Sequence, residues 1–353
     1  MAKRAHFPAG GGDDLVCRDA PRAARGRDLR TNRLGAGFYR LVALVGSTSL
    51  PEIATTITAV ALLNNPTLAV YNLLGSVALQ TGILALADRA KRRSGALTYF
   101  SPRFALLIQG VGLLLLLQLT IAGVTARGVP TLGSVSLWPV VLVLAYLGML
   151  YLSYHYRGQP RWTPSKSDDV PLDEPADREA ENDPKPGGEQ KQRSKHRSMT
   201  SIWLLFCGFS LLVLVAGWAV AQSADVLADQ TGLGDAFLGA TLLALATALP
   251  EISTTVAAAR SGRYSMAISN IFGSNAFCVA LLILAELLYR DGTIMAHVGG
   301  AVVFVAAIGA IMTSIYLLGM LERQDRTVLG VGWDSAAAVL IYIGGMAVLY
   351  FIA

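Results

Sequence analysis

The chain has 353 residues, 53% of them hydrophobic and 15% charged, with a formal net charge of +5. Its charges gather between long apolar stretches, which excludes a soluble globular domain and marks a multi-pass, all-α membrane protein. The basic surplus follows membrane topology, as the loops below show, and so does not call for a nucleic-acid partner.

Residues 1–34 form a polar, arginine-rich tail without the apolar core of a signal peptide. Nine apolar runs follow, near 35–63, 66–88, 101–124, 134–154, 201–222, 233–259, 264–289, 295–319 and 333–353. Runs of about 20 residues are long enough to cross a roughly 30 Å hydrocarbon core as helices. Basic residues cluster at Arg22–Arg33, at Arg89, Lys91, Arg92 and Arg93, at Arg260 and Arg263, and at Arg323 and Arg326. The loops between them keep little beyond Arg127 and Arg290. By the positive-inside rule the N-terminus is expected in the cytoplasm and the C-terminus outside, in a bacterial-type cytoplasmic membrane.

Residues 156–200 are rich in Pro, Gly and charges of both signs, the composition of a disordered cytoplasmic linker. Asp168, Asp169, Asp173 and Glu174 lack the spacing of an EF-hand. The linker separates two halves, 35–155 and 201–353. Cys17, Cys207 and Cys278 are scattered and carry neither a disulfide framework nor a zinc pattern.

The halves repeat one another. Leu50-Pro51-Glu52-Ile53 returns as Leu249-Pro250-Glu251-Ile252, and the same offset of 199 residues pairs Leu34-Gly35 with Leu233-Gly234 and Thr55-Thr56 with Thr254-Thr255. Farther on, Gly75-Ser76 and Leu86-Ala87-Asp88 match Gly273-Ser274 and Leu284-Ala285-Glu286 at an offset of 198. Glu52 lies on the first span and Glu251 on the sixth, so the copies enter the membrane in opposite directions. That is an inverted repeat of about five helices per half, an arrangement that places ion sites near the midplane. The 201–222 helix has no apolar counterpart in residues 1–33, so either the first half has lost its first helix or the given start of the chain is not the native one.

A carboxylate within hydrocarbon is costly and faces a bundle interior or an aqueous cavity. Thr48 and Ser49 precede Glu52 by four and three residues, within reach of its helix face, and Thr247 stands in the same place before Glu251. Each proline removes a backbone donor and frees the carbonyl four residues earlier, at Ser47 and Ala246. Carboxylate, hydroxyl and carbonyl oxygens suit a hard cation such as calcium. The four histidines lie away from both motifs, which disfavours metals that seek imidazole.

The signatures Thr48-Ser49-Leu50-Pro51-Glu52 and Gly273-Ser274-Asn275 resemble the paired alpha-repeats of the sodium/calcium exchanger family, within the cation/calcium antiporter superfamily. The resemblance implies a secondary antiporter working by alternating access, with no enzymatic activity and no cofactor. Calcium and sodium, or calcium and protons, are then the transported ions. It nominates Thr48, Ser49 and Glu52 from the first motif and Thr247 and Glu251 from the second. Ser76, Ser274 and Gln80 follow on the next helix of each half. The chain departs from the family at Ala248, Val77, Gln80 and Cys278, which leaves sodium and proton coupling both open. A non-coupled channel-like or sensor protein is the other class that fits.

Among the remaining polar residues, Thr55 and Thr254 are expected mainly to bond their own backbone, as membrane hydroxyls do. Asn72 and Asn270 either line a cavity or bond between helices. Cys278 is expected to pack. Asp88 and Glu286, near helix ends, are expected at the interface with solvent.

Overall fold

The computed structural model describes residues 49–91, 95–101, 103–126, 130–132, 135–156 and 199–353. The N-terminal tail, Thr48 and residues 157–198 of the linker lie outside the described residues. The helices are α1 (Leu50–Leu62), α2 (Pro66–Ala90), α3 (Phe104–Thr125), α4 (Trp138–His155), α5 (Met199–Thr231), α6 (Asp235–Thr247), α7 (Leu249–Arg260), α8 (Tyr264–Leu288), α9 (Ile294–His297), α10 (Ala301–Glu322) and α11 (Trp333–Ile352). Among the described residues seven are long and apolar enough to cross a membrane, and the pair α6 and α7, bent by 52°, is apolar enough for an eighth if the two cross as one broken span. The expected 35–63 span is described only from Ser49 onward.

Sequence chemistry explains the breaks. Pro250 cannot donate to Ala246, so the helix of the second motif ends at Thr247 and restarts at Leu249. Pro51 occupies the same first-turn position in α1. The chain turns between α1 and α2 at Asn64, with φ of 50°, and Asn65, whose side chain accepts from Leu68 N at 3.0 Å ahead of Pro66. That is a capping residue followed by proline at the first helical position.

The central helix is α2, with 83% of its apolar window buried, against 22% for α4 and α5. It packs against α7, α8, α10 and α11, all from the second half. Its closest approach is to α6, where a Cβ on Gly75 would run into the backbone of Ala240 and one on Gly239 would lie 2.9 Å from Leu68 O. Small residues let membrane helices touch backbone to backbone in this way. Around it lie α3 with α4 and α10 with α11, the matching pairs of the two repeats.

Two short antiparallel hairpins were not expected. Thr131–Leu132 (β1) pairs with Val135–Ser136 (β2) between α3 and α4, and Thr327–Val328 (β3) pairs with Val331–Gly332 (β4) between α10 and α11. In the second, Leu329 and Gly330 both have positive φ, the backbone of a tight hairpin turn. The hairpins occupy equivalent places in the two repeats and lie on opposite faces of the bundle.

Candidate functional site

Both glutamates are buried, Glu52 on α1 and Glu251 on α7, near enough to repel one another. Their neighbours come from the crossing helices. Gln80 Nε2 on α2 donates to Glu52 Oε1 at 3.4 Å, and Ser274 Oγ on α8 donates to Glu251 Oε1 at 3.3 Å. Each repeat thus sets one motif carboxylate against a polar residue of its own following helix.

A contact across the repeats joins these halves. Ser76 Oγ lies 3.4 Å from Thr247 Oγ1, which also reaches Asn72 Oδ1 at 3.5 Å and the carbonyl of Ala244 at 3.1 Å. Asn72 in turn donates to Thr55 Oγ1 at 3.0 Å. The structure therefore brings together Glu52, Ser76, Gln80, Thr247, Glu251 and Ser274, with Ser49 buried one turn from Glu52. Thr48 lies outside the described residues.

The centre holds more oxygen than it holds donors. Ser49 Oγ, Glu52 Oε2 and Gln80 Oε1 are buried with no hydrogen-bond partner among the described residues. The same is true of Asn275 Oδ1, whose amide nitrogen donates to Thr81 Oγ1 at 2.9 Å and to the carbonyl of Val77 at 3.3 Å. Buried polar atoms are paired as a rule, and an unpaired carboxylate oxygen is costly. Lone pairs turned inward without donors suit a cation that loses its water there. No cluster of three or more His, Cys, Asp or Glu occurs among the described residues, and the oxygens gathered here come from two carboxylates and neutral groups.

The remaining expectations divide. Thr55 and Thr254 bond back to the carbonyls of Pro51 and Pro250 at 2.9 and 3.0 Å, as expected. Asn72 and Asn270 make interhelical bonds, Asn270 to Thr254 and Thr255 at 3.1 and 3.0 Å. Cys278 is fully buried on α8. Asp88 and Glu286 contradict the reading that solvent reaches them, because they are 0% and 1% exposed. Backbone N–H groups take the place of water at both. The sequence marks Asn275 as the end of the Gly273-Ser274-Asn275 signature without nominating it for the centre, and it does not single out Thr81. Asn275 stands at the repeat position of Val77, so only one half carries the amide and no doubled pattern flags it.

Residues 200–351 match a family model described as sodium/calcium exchanger protein. Among curated relatives, the putative antiporter CaxA of Alkalimonas amylolytica is 27% identical over 152 residues, 42% of this chain and 45% of its own. The inner membrane protein YrbG of Escherichia coli is 33% identical over 91 residues, 26% of this chain and 28% of its own. The sodium/calcium exchanger MaX1 of Methanosarcina acetivorans is 28% identical over 152 residues, 43% of this chain and 41% of its own. The chain thus spans less than half the length of these relatives. Two solved structures share its fold. The H+/Ca2+ exchanger CAX superposes with a TM-score of 0.55 at 15% identity, covering 88% of this chain and 75% of that one. The sodium-calcium exchanger NCX_Mj superposes at 0.51 and 18% identity, covering 86% and 84%.

Proposed function

We propose, for a chain whose residues 200–351 match the model of the sodium/calcium exchanger protein family, that it exchanges calcium for a monovalent cation across the membrane by alternating access. The observation that carries the reading is the burial of Glu52 and Glu251, one from each inverted repeat, beside Ser49 Oγ, Glu52 Oε2 and Gln80 Oε1, which are buried without a hydrogen-bond partner among the described residues. Taking a carboxylate out of water costs several kcal/mol unless a partner offsets it. A divalent cation seated between the two would offset both at once.

Charge balance extends the argument. Two carboxylates match one calcium ion, two sodium ions or two protons, so the exchange is electroneutral in this reading. The two solved structures that share the fold differ in the counter-ion they are named for, a proton in CAX and sodium in NCX_Mj. Val77 and Cys278 bear on the choice, because each puts a side chain without oxygen where the repeat pattern offers an oxygen ligand. Sodium needs such ligands and a proton does not, so proton coupling is the second reading.

The test is calcium uptake into proteoliposomes under an imposed sodium gradient and then a proton gradient, with Glu52→Gln and Glu251→Gln beside the wild type. Uptake driven by one gradient and abolished by either substitution supports the antiporter and names its counter-ion. Calcium entry that follows its own gradient, indifferent to both others, would overturn coupling in favour of a channel.

A further inference from the structure

Asp88 and Glu286 stand apart from the ion site, yet both are buried and both repeats keep a carboxylate there. Asp88 ends α2. Its Oδ1 accepts from Leu97 N at 2.8 Å and from Lys91 Nζ at 2.5 Å, and its Oδ2 accepts from Gly332 N, the last residue of the β3–β4 hairpin. Glu286 ends α8. Its Oε2 accepts from Ile294 N at 2.9 Å and its Oε1 from Ser136 N at 2.6 Å, the last residue of the β1–β2 hairpin.

The two arrangements are one device used twice. Each carboxylate binds an N–H of the segment that follows its own helix and the N–H that closes the hairpin of the other repeat. In register, Thr131 pairs with Ser136 and Thr327 with Gly332, so the two N–H groups occupy the same place in their hairpins. One arrangement lies on each face of the bundle. The Asp88 end is reinforced by Ala96 N donating to Asp325 Oδ1 at 2.8 Å and Thr98 Oγ1 to Asp334 Oδ2 at 2.5 Å. A Cβ on Gly332 would lie 3.3 Å from Asp88 Oδ2 and 2.8 Å from the Ala96 side chain, so the carboxylate meets bare backbone.

We propose that Asp88 and Glu286 are a pair of positioning residues, cross-repeat clasps that lock the ligand-bearing helices α2 and α8 to the hairpins of the opposite repeat. They act on the ion through register. Gln80 lies eight residues from Asp88 on the same helix, about 12 Å at 1.5 Å per residue, and Ser274 about 18 Å from Glu286. A helix held at its end by charge-assisted bonds presents those oxygens at a fixed height against Glu52 and Glu251. The proposal rests on the exchanger reading for its effect on ions, and on the structure alone for the clasps themselves.

Two measurements on the full chain separate these. Hydrogen exchange, read without calcium in Asp88→Asn and Glu286→Gln, tests the clasps. Each isosteric amide keeps one acceptor and turns an NH2 toward the second N–H. Exchange is expected to rise about tenfold or more at the hairpin of the opposite repeat, 327–332 for the first variant and 131–136 for the second. Unchanged exchange at both hairpins would overturn the proposal. Calcium half-saturation, read by calcium-dependent thermal stabilisation, tests positioning, and a rise of severalfold in each variant is expected. A lowered melting temperature with unmoved half-saturation would show a merely structural role and sink the positioning claim. Should the wild type bind no calcium, the exchanger reading fails while the hydrogen-exchange result still decides whether the clasps exist. If Asp88→Asn does not fold, Glu286→Gln carries both readouts alone.

Discussion

Glu52→Gln should separate folding from ion binding with opposite signs. Glutamine keeps the shape of the side chain and its Oε1 still accepts from Gln80 Nε2, the 3.4 Å contact of the wild type. The other position becomes an NH2 where Glu52 Oε2 now has no hydrogen-bond partner among the described residues. Without an ion, the substitution removes one of two buried carboxylates that repel each other, so the empty protein should be as stable as the wild type or more so. With calcium the balance reverses. Losing one member of a buried charge pair costs about 3–5 kcal/mol, and at 1.4 kcal/mol per decade that is roughly two to nearly four decades of affinity. The assay is thermal unfolding in detergent across a calcium titration. The melting temperature without calcium should hold or rise, and the calcium-dependent increase should move to at least a hundredfold higher concentration. An unchanged calcium midpoint would remove Glu52 from the site, and a collapse of the empty protein would show that the carboxylate is structural.

Other consequences follow from the same geometry. Gln80→Asp adds a third negative charge beside Glu52, so uptake that is indifferent to membrane potential in the wild type should become potential-dependent; a wild type already carrying current would refute the charge balance. Gly75→Val forces a side chain into the Ala240 backbone and should abolish folded protein in size-exclusion chromatography. Gly148→Val, where nothing lies within 4 Å, should leave it intact. Ser76→Ala and Thr247→Val remove a long 3.4 Å contact, so a double-mutant cycle on stability should give coupling below about 1 kcal/mol. Each single change should still raise calcium half-saturation, because a ligand oxygen is lost.

The doubled motif made the centre legible. Length marked the spans, the repeated Pro-Glu pair pointed to Glu52 and Glu251, and the family resemblance added Ser76 and Ser274. What stayed hidden was relational. The hairpins are two residues per strand, too short for any alternation of side chains to declare them. The burial of Asp88 and Glu286 depends on backbone donors more than 140 residues away, and a carboxylate near a helix end otherwise reads as solvated. Asn275 was visible as a motif residue but not as a member of the centre, because Val77 breaks the symmetry that doubles its neighbours. The first motif helix is described only from Ser49, so Thr48 stands as a sequence expectation.

The burial of α2 has a consequence for how the protein is made. This helix carries Asn72, Ser76, Gln80, Thr81 and Asp88, and the elements that cover it, α6, α7, α8, α10 and α11, are all encoded after it. Synthesis from Glu52 to Glu251 takes about 10–40 s at the usual 5–20 residues per second. Through much of that interval a span with five polar side chains that end up buried sits in the bilayer with neither its packing partners from the second half nor the hairpin that closes on Asp88. Biogenesis is therefore the stage at which this chain is most exposed to lipid and to quality control, and a break in the linker that delayed the second half would leave the first with polar groups and nothing to satisfy them.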